Sequence, residues 1–398
     1  MNLLNTKTSI YKNASKKVYD ITSERRAEYR QISKASRLAK RDAEQGLHEK
    51  VHEINKPLLD PNILMPQKQS NHLKTLSLFS GGGGLDLGFD RAGYKHIASY
   101  ELIPICKDTF LANRPHWKVY AGPEEGDVTQ VDWKKYKGEI DVIHGGPPCQ
   151  PFSIAGEQKG LDDERNMWSE FTKAVNIIKP KVFVAENVLG LLNPKFEGFV
   201  KKYIIDAMSD YHITKFEMSA SDFGVPQIRR RIFFVGFKNS KNSKIFKVPN
   251  PTHICEYTQK KSLFNPPIDD KSNLTFGVRK ALGLSDIGYD NIAPTIRSGF
   301  TGKRNTTSVL NSSAGQKSWG DMEVWPNGVQ INRESASAFP AKGNHFRLSI
   351  QDIGIIQGFP ESWKFAGAAY QVLGQIGNSV APPVAYNVAI NVAKALKY

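Results

Sequence analysis

The stretch TLSLFSGGGGLDLGF, residues 75–89, joins an apolar run to four consecutive glycines and then to an amphipathic segment. Residues 75–79 predict a buried strand, and LDLGFDRAG at 85–93 predicts a helix after it. Apolar runs of strand length recur as HIASY (96–100), IDVIH (140–144) and KVFVAE (181–186). Helical patterns separate them, IPICKDTFLANR (103–114) and MWSEFTKAVNIIKP (167–180). This alternation predicts an α/β fold with a doubly wound parallel sheet.

The pattern also divides the chain into four predicted parts. Residues 1–73 are polar and rich in Arg, Lys and Glu, which predicts a basic helical extension and a Pro-marked linker. Residues 74–240 carry the strands, and TKFEMSA (214–220) and RIFFVGF (231–237) extend the sheet, an antiparallel edge being one arrangement. Residues 241–345 are loop-rich and predict a smaller, irregular domain. Residues 346–398 return to helix, with apolar residues four apart at Val384, Val388, Val392 and Leu396.

Composition narrows the class of protein. The 398 residues carry a formal charge of +15, which favours a polyanionic partner such as nucleic acid, although a merely basic protein is the alternative. No apolar run approaches the roughly 20 residues that span a bilayer, and the polar amino terminus predicts no secretory signal. The cysteines Cys106, Cys149 and Cys255 form no C-x-x-C pair, so we expect neither a zinc site nor a disulfide scaffold. A cytoplasmic protein without a metal is the expectation.

Informative residues follow the predicted strands, where ligands bind in open α/β sheets. The glycines Gly81–Gly84 do not fit G-x-G-x-x-G, because Asp86 or Leu87 occupies the last glycine's place. Glu101 ends the second strand and Asp127 follows the third, which together describe a pocket for an adenosine without a pyrophosphate. Each feature alone has a simpler interpretation. The glycines, for example, are also compatible with a turn that binds no ligand.

GGPPCQPFS, residues 145–153, presents Cys149 in a rigid loop, because prolines exclude a helix interior and a central strand. A buried structural thiol is the alternative, and we assign Cys106 and Cys255 to packing. Glu186 ends an apolar strand, so we expect partial desolvation to raise its pKa and make it a proton donor.

QIRRRIFFVGF, residues 227–237, places Arg229 and Arg231 on one strand face and Arg230 on the other. A basic strand edge that discourages aggregation is the alternative.

Six segments together resemble the DNA (cytosine-5) methyltransferases, in that family's order: FSGGGGLDLGF, GGPPCQPFS, AENV, QIRRRIFFVGF, RLSIQDIGIIQGFPESW and QIGNSVAPPVA. They cover roughly residues 75–240 and 346–398. The resemblance implies a Rossmann-like S-adenosylmethionine-dependent methyltransferase sheet and a target-recognition domain at 241–345.

The resemblance also implies catalytic roles. Cys149 would add to C6 of a flipped-out cytosine, Glu186 would stabilise N3 protonation and Arg229 would hold O2. Asn187 would support this geometry, and Arg231 the loop or the base site. C5 would take the methyl group of S-adenosylmethionine, leaving S-adenosylhomocysteine. No side chain identifies itself as the acceptor of the C5 proton, for which water is one candidate.

Binding residues are implied in the same way. The cofactor would be bound by Phe79, which stacks on adenine, and by Ser80, Gly81, Gly83, Gly84, Leu85, Glu101, Leu102, Asp127, Val128, Pro147, Asn378, Ser379 and Val380. Duplex DNA would be contacted by Gln150, Ser153, Arg165, Gln227, Arg297, Lys303 and Arg304. Arg165 lies in SIAGEQKGLDDERNMW, which resembles the family's mobile loop, with Asn166 where the family has glycine. A monomer on DNA and a cognate restriction endonuclease are further implications.

Two alternative functions stay open at this point. One branch of the family methylates tRNA, but it tends to have a short region where this chain carries roughly a hundred irregular residues. A DNA-binding regulator that keeps the fold without turnover is the other alternative. The intact Cys149, Glu186 and Arg229 argue against it, while the basic amino-terminal segment allows regulation in addition to catalysis. The recognised DNA sequence cannot be read from these residues.

Overall fold

A computed structural model describes residues 22–47, 50–148, 167–258, 273–298, 307–310, 312–338 and 341–397. The chain divides into two compact units, Met1–Glu49 and Lys50–Tyr398. The described part of the first unit is dominated by one helix, α1 (Ser23–Glu44), as its polar, Arg- and Lys-rich sequence predicted. Glu24 in its first turn and Arg41 in its last complement the helix dipole.

A seven-stranded sheet forms the centre of the second unit. Its strands are β1 (Lys74–Leu78), β2 (Lys95–Glu101), β3 (Val119–Ala121), β4 (Val142–Gly145), β5 (Val182–Val188), β6 (His212–Ser219) and β7 (Arg230–Phe237). The spatial order is β3-β2-β1-β4-β5-β7-β6, and the first five strands run parallel. β7 pairs antiparallel with both β5 and β6. The predicted doubly wound sheet and its antiparallel edge are therefore confirmed.

Helices cover both faces of this sheet. Up to residue 245 they are α2 (Gly84–Arg91), α3 (Ile105–Asn113), α4 (Gly122–Glu125), α5 (Trp168–Ile178), α6 (Glu197–Val200) and α7 (Ser240–Ile245). Residues of α2 and of the last helix of the chain share one apolar core with the sheet, and α5 packs in the core on the other side. Because β1–β5 run parallel, their carboxyl ends all lie along the same edge of the sheet.

A third apolar core lies in the carboxyl-terminal half. The remaining elements are α8 (Val278–Ala281), α9 (Ser313–Asp321), β8 (Val324–Gln330), α10 (Arg333–Ala338), β9 (Phe346–Ser349), α11 (Ile350–Gln357), α12 (Ala369–Asn378) and α13 (Pro382–Leu396). β8 and β9 form a small parallel sheet. Ile353 of α11 and Ile376 of α12 belong to this third core, so both helices pack together with the irregular region.

The segment predicted as a linker is packed in its central part. Leu59 and Met65 are buried, and the Asn55 amide donates to the backbone of Leu282 and to the Asp352 carboxylate, each at 3.0 Å. Prolines signal a break in regular structure, but they do not reveal whether the irregular chain is solvated or buried. The four domain boundaries stay predictions.

Candidate active site

The glycine loop begins where β1 ends. Phe79 has a left-handed backbone, with φ of 56°, and its side chain is half-buried against the sheet. The Ser80 hydroxyl lies 3.0 Å from that of Ser77 and donates to the Tyr100 carbonyl at 3.3 Å. The backbone of Ser80 is engaged as well, because its N–H donates to the Tyr100 carbonyl at 3.2 Å and its carbonyl accepts from the Gly83 N–H at 3.0 Å. Ser80 therefore ties the start of the glycine loop to the sheet.

Two of the glycines differ in what surrounds them. A Cβ on Gly81 would meet no atom within 4 Å, and the backbone there has φ of 54°. A Cβ on Gly84 would lie 2.1 Å from the Val380 carbonyl oxygen. The loop therefore faces open space at Gly81 and packs against the turn between α12 and α13 at Gly84. In that turn, Ser379 is buried and Asn378 is exposed.

The acids predicted to bind the cofactor lie at the neighbouring strand ends. The Glu101 carboxylate accepts from the backbone N–H of Gly81 at 2.7 Å and of Ile103 at 3.0 Å. Burial raises the pKa of Glu101, although these N–H groups oppose the effect. Asp127 is half-buried and accepts from the backbone N–H and the hydroxyl of Thr129, while Leu102 is exposed. Glu101 thus fixes the glycine loop and has lone pairs left for hydroxyl donors.

A buried carboxylate lies beneath the same loop. Asp86 of α2 is 2% exposed and accepts from the Ser99 hydroxyl at 2.9 Å. Burial raises its pKa to about 7. Trp363 contacts the loop from another side, where its indole N–H donates to the Gly82 carbonyl at 3.2 Å.

A second group of polar side chains lies at the ends of β4 and β5. The Glu186 carboxylate and the Arg231 guanidinium form an ion pair of 2.9 Å, and their side chains are 10% and 15% exposed. Desolvation raises the pKa of Glu186, and the two arginines Arg231 and Arg229 act against that rise. The predicted direction is confirmed. A carboxyl whose pKa is raised by burial holds a proton more readily than an exposed one.

The same group contacts the chain immediately before Cys149. A Cβ on Gly146 would lie 3.1 Å from Glu186 Oε2, and the Asn187 amide donates to the Pro147 carbonyl at 3.0 Å. The loop that leads to Cys149 is therefore held against Glu186 and Asn187. Cys149 itself lies outside the described residues.

Arg229 occupies a different place from the one predicted. It is 2% exposed, and its Nη2 donates to the backbone carbonyls of Gly377 at 3.0 Å and Ser379 at 2.7 Å. Arg231, which was expected only to support the site, is the arginine paired with Glu186. The structure therefore places Arg231, and not Arg229, in contact with Glu186. Arg230 faces away and pairs with Glu217, as expected.

Gln227 was predicted to contact DNA, and the structure contradicts this. Its side chain is fully buried, donates to the Gln357 amide oxygen at 2.8 Å and accepts from the Ile296 N–H at 3.1 Å. Gln357 in turn donates to the Ser379 carbonyl at 2.7 Å. This chain of bonds, which we call the Gln357 network, links the start of β7, the α12–α13 turn and residue 296 of the irregular region.

Sequence reasoning missed Gln357 and Trp363. The signal for Gln357 was present, because an uncharged polar residue that follows two isoleucines in a short apolar helix needs buried partners. Trp363 gave no comparable signal.

Of the other predicted residues, some are described by the structure and some lie outside the described ranges. Val128, Pro147, Leu85 and Val380 are buried and Arg297 is exposed. Cys106 and Cys255 are buried, as predicted. Outside the described residues lie Gln150, Ser153, Arg165, Lys303 and Arg304.

Metal sites and membrane helices are absent from the described ranges. Within them, no group of three or more His, Cys, Asp and Glu side chains is arranged to hold a metal ion. No helix there is both long and apolar enough to cross a membrane.

Comparison with known proteins agrees with this architecture. The family model described as C-5 cytosine-specific DNA methylase matches residues 73–394. The chain is 34% identical over 330 residues to the type II methyltransferase M.NgoMIV of Neisseria gonorrhoeae, covering 81% of this chain and 98% of the relative. It is 31% identical over 349 residues to the type II methyltransferase M.Eco47II of Escherichia coli, covering 83% and 81%.

Solved structures share the fold. A DNA modification methyltransferase encoded within an Escherichia coli prophage superimposes with a TM-score of 0.52 and 25% identity, covering 82% of this chain and all of the other. The S. pombe Dnmt2 methyltransferase gives 0.53 at 13% identity, with the same coverage.

Proposed function

Because the chain belongs to the C-5 cytosine-specific DNA methylases, we propose that it transfers a methyl group from S-adenosylmethionine to C5 of a flipped-out cytosine in duplex DNA, through a covalent adduct of Cys149. One observation carries this proposal. The buried Glu186–Arg231 pair and the Asn187 amide contact Gly146 and Pro147, directly before Cys149. A carboxyl group and a cation thus lie at the carboxyl ends of β4 and β5, beside the residues that lead to the proposed nucleophile.

The chemistry explains why a thiol is needed beside an acid. C5 of cytosine is a weak nucleophile, and addition of the Cys149 thiolate to C6 breaks the C5–C6 double bond and gives C5 carbanion character. After C5 has gained the methyl group, loss of its proton restores the double bond and expels Cys149. The thiol is regenerated, so the protein is unchanged over a turnover.

Glu186 would act on the opposite side of the ring. Thiolate addition leaves negative charge that reaches N3, and a carboxyl whose pKa is raised by burial is able to supply a proton there. Arg231 would donate to the base O2 while holding Glu186 in place. Arg229 would act indirectly, by fixing the α12–α13 turn.

The residues at the first three strand ends fit S-adenosylmethionine, which supplies an electrophilic methyl group when bound. Gly81 leaves room for a ligand close to the backbone, and Glu101 offers acceptor capacity to ribose hydroxyls. The Phe79 ring would stack on the adenine of the cofactor. Asp127, which follows β3, would lie near that adenine. Ser379 and Val380 would support the loop from behind.

A cytosine in a duplex reaches this site only when it is rotated out of the stack. The irregular region, with its exposed Arg297, would contact the DNA around it. Because the relatives M.NgoMIV and M.Eco47II are type II methyltransferases, we propose the same role for this protein, with an endonuclease that cuts the same site as its partner.

The experiment is a base-resolution map of 5-methylcytosine in a host without cytosine methylation of its own, expressing either the wild type or Cys149→Ser. Methylation at one short motif, absent with Cys149→Ser, is the expected result. Unmethylated DNA with a folded wild-type protein that binds S-adenosylmethionine would overturn the DNA assignment, and the host's RNA would then be examined.

The covalent step has its own test. DNA that carries 5-fluorocytosine at the target has no C5 proton to lose, so the adduct should persist and migrate as a protein–DNA complex under denaturing conditions. Cys149→Ala should form none. Cys255→Ala, which removes a buried thiol away from the site, is the matched control and should form the complex.

A further inference from the structure

Helix α1 carries a row of basic side chains along one face. Arg30, Lys34, Arg37 and Arg41 follow one another at intervals of four, three and four residues, and all four are exposed. At 3.6 residues per turn they fall within roughly 60° of arc and span about 16 Å of the helix axis. We call these four residues the basic face.

Acidic side chains of α1 fall mainly elsewhere. Glu24, Glu28 and Asp42 lie about 120–160° around the helix from Arg30, although the Asp42 carboxylate is 3.6 Å from Arg41. The fourth acidic residue, Glu44, is the last residue of the helix and lies about 40° from Arg30, beside the basic face. Positive charge is therefore concentrated on one side of α1, which a helix whose charges serve only solubility does not require.

We propose that the basic face of α1 binds the phosphate backbone of duplex DNA, as a contact additional to that of the methylation site. Duplex DNA carries one negative charge per about 1.7 Å of axis, so a 16 Å row of cations faces several phosphates. The helix lies outside residues 73–394, which the family model covers. The contact is independent of sequence, because it reads phosphates and no base edges.

The inference takes DNA as the polyanion from the proposed function, but its test does not depend on methylation. The affinity of the full-length protein for a random-sequence duplex of 40 base pairs would be measured at several salt concentrations. Each phosphate contact contributes about 0.9 to the slope of log affinity against log salt. Replacing the basic face (Arg30→Ala, Lys34→Ala, Arg37→Ala, Arg41→Ala) should lower the slope by about 3 and the affinity at low salt by roughly ten- to a hundredfold.

Two controls separate this contact from bulk charge and from loss of the helix. Lys95→Ala, Lys118→Ala, Lys134→Ala and Lys137→Ala remove the same charge from exposed positions near the outer strands β2 and β3, and should leave the slope nearly unchanged. Arg30→Lys, Arg37→Lys and Arg41→Lys keep the charges and should retain the wild-type slope. Alanine favours helix, so α1 should persist in the first variant, which circular dichroism checks.

Equal slopes for the wild type and the basic-face variant would overturn the proposal, as would an equal loss with the four-lysine control. The experiments can contradict the proposed function and the proposed DNA contact of the basic face independently of each other. A wild-type protein that methylates no DNA but shows the expected difference in slope would contradict the proposed function and support the DNA contact of α1.

Discussion

The proposed cofactor side and the proposed base side of this site lie at the same edge of one sheet but are stabilised by different interactions. At the glycine loop the decisive contact is between backbones, with Gly84 against the Val380 carbonyl. At the ends of β4 and β5 the decisive contact is the buried ion pair of Glu186 and Arg231. The first side should be sensitive to added volume and the second to lost charge. Substitutions that remove charge on the base side or add volume on the cofactor side test this difference.

The largest expected effect is on the base side. Glu186→Gln keeps the shape of the side chain and removes its charge and its proton, so we expect methyl transfer to slow by about 10²–10⁴-fold. Single-turnover rates at saturating DNA and cofactor measure this. Glu217→Gln is the matched control, because it disrupts the neighbouring but exposed pair with Arg230. Such pairs contribute about 0–1 kcal/mol, so its rate should stay close to that of the wild type.

The next effect is on the cofactor side. Gly84→Ala adds one methyl group at 2.1 Å from a backbone oxygen, and we expect it to destabilise the fold by roughly 3 kcal/mol. Gly81→Ala adds the same group where no atom is within 4 Å, and only its left-handed backbone is strained, by about 1 kcal/mol. Urea unfolding compares the two. Equal losses of stability in the two variants would show that added volume does not determine stability on the cofactor side.

Asp86 is a buried titratable group beneath the glycine loop, on the side where packing dominates. Because folding raises its pKa from 3.8 to about 7, the folded state binds the proton more tightly than the unfolded state. This stabilisation is complete below pH 3.8 and is lost as the pH rises through about 7. At about 1.4 kcal/mol per pH unit, the wild type should lose about 2 kcal/mol relative to Asp86→Asn between about pH 5 and pH 6.5. Unfolding at both pH values measures the difference, and Asp108→Asn, on an exposed carboxyl, is the control.

The smallest effect concerns the bonds that join the two sides. Gln357→Leu removes the central member of the Gln357 network, while Ser379 keeps its bond from Arg229. We expect a loss of about 1–2 kcal/mol in stability and weaker binding of the cofactor. Gln351→Leu, on the same helix but only half-buried, is the control. Unchanged cofactor affinity in Gln357→Leu would mean that the two sides are independent.

Much of this architecture could be predicted from the sequence because strand ends are well marked. The runs of strand length located six of the seven strands directly, all but β3, and Glu186 and Glu101 each end such a run. The spacing of Val384, Val388 and Val392 identified the inner face of α13, and all three are buried.

What could not be predicted depends on register and on contacts between distant segments. A period of two places Arg229 and Arg231 on one face but does not say which lies beside Glu186. The antiparallel register decides it, because Arg231 pairs with Val188, two residues from Glu186 and on the same face. The burial of Gln227 likewise depends on α11, about 130 residues later in the chain.

The packing of Gly84 on Val380 also bears on how the protein is made. At about 5–20 residues per second, a ribosome adds the α12–α13 turn, about 300 residues after the loop, some 15–60 s later. The Tyr94 hydroxyl donates to the Ala389 carbonyl at 2.8 Å, and this acceptor is synthesised after a similar delay. A nascent chain therefore carries its glycine loop unsupported for most of translation. A newly made molecule completes the packing around its glycine loop, where we propose that the methyl donor binds, only after nearly all of the chain has been synthesised.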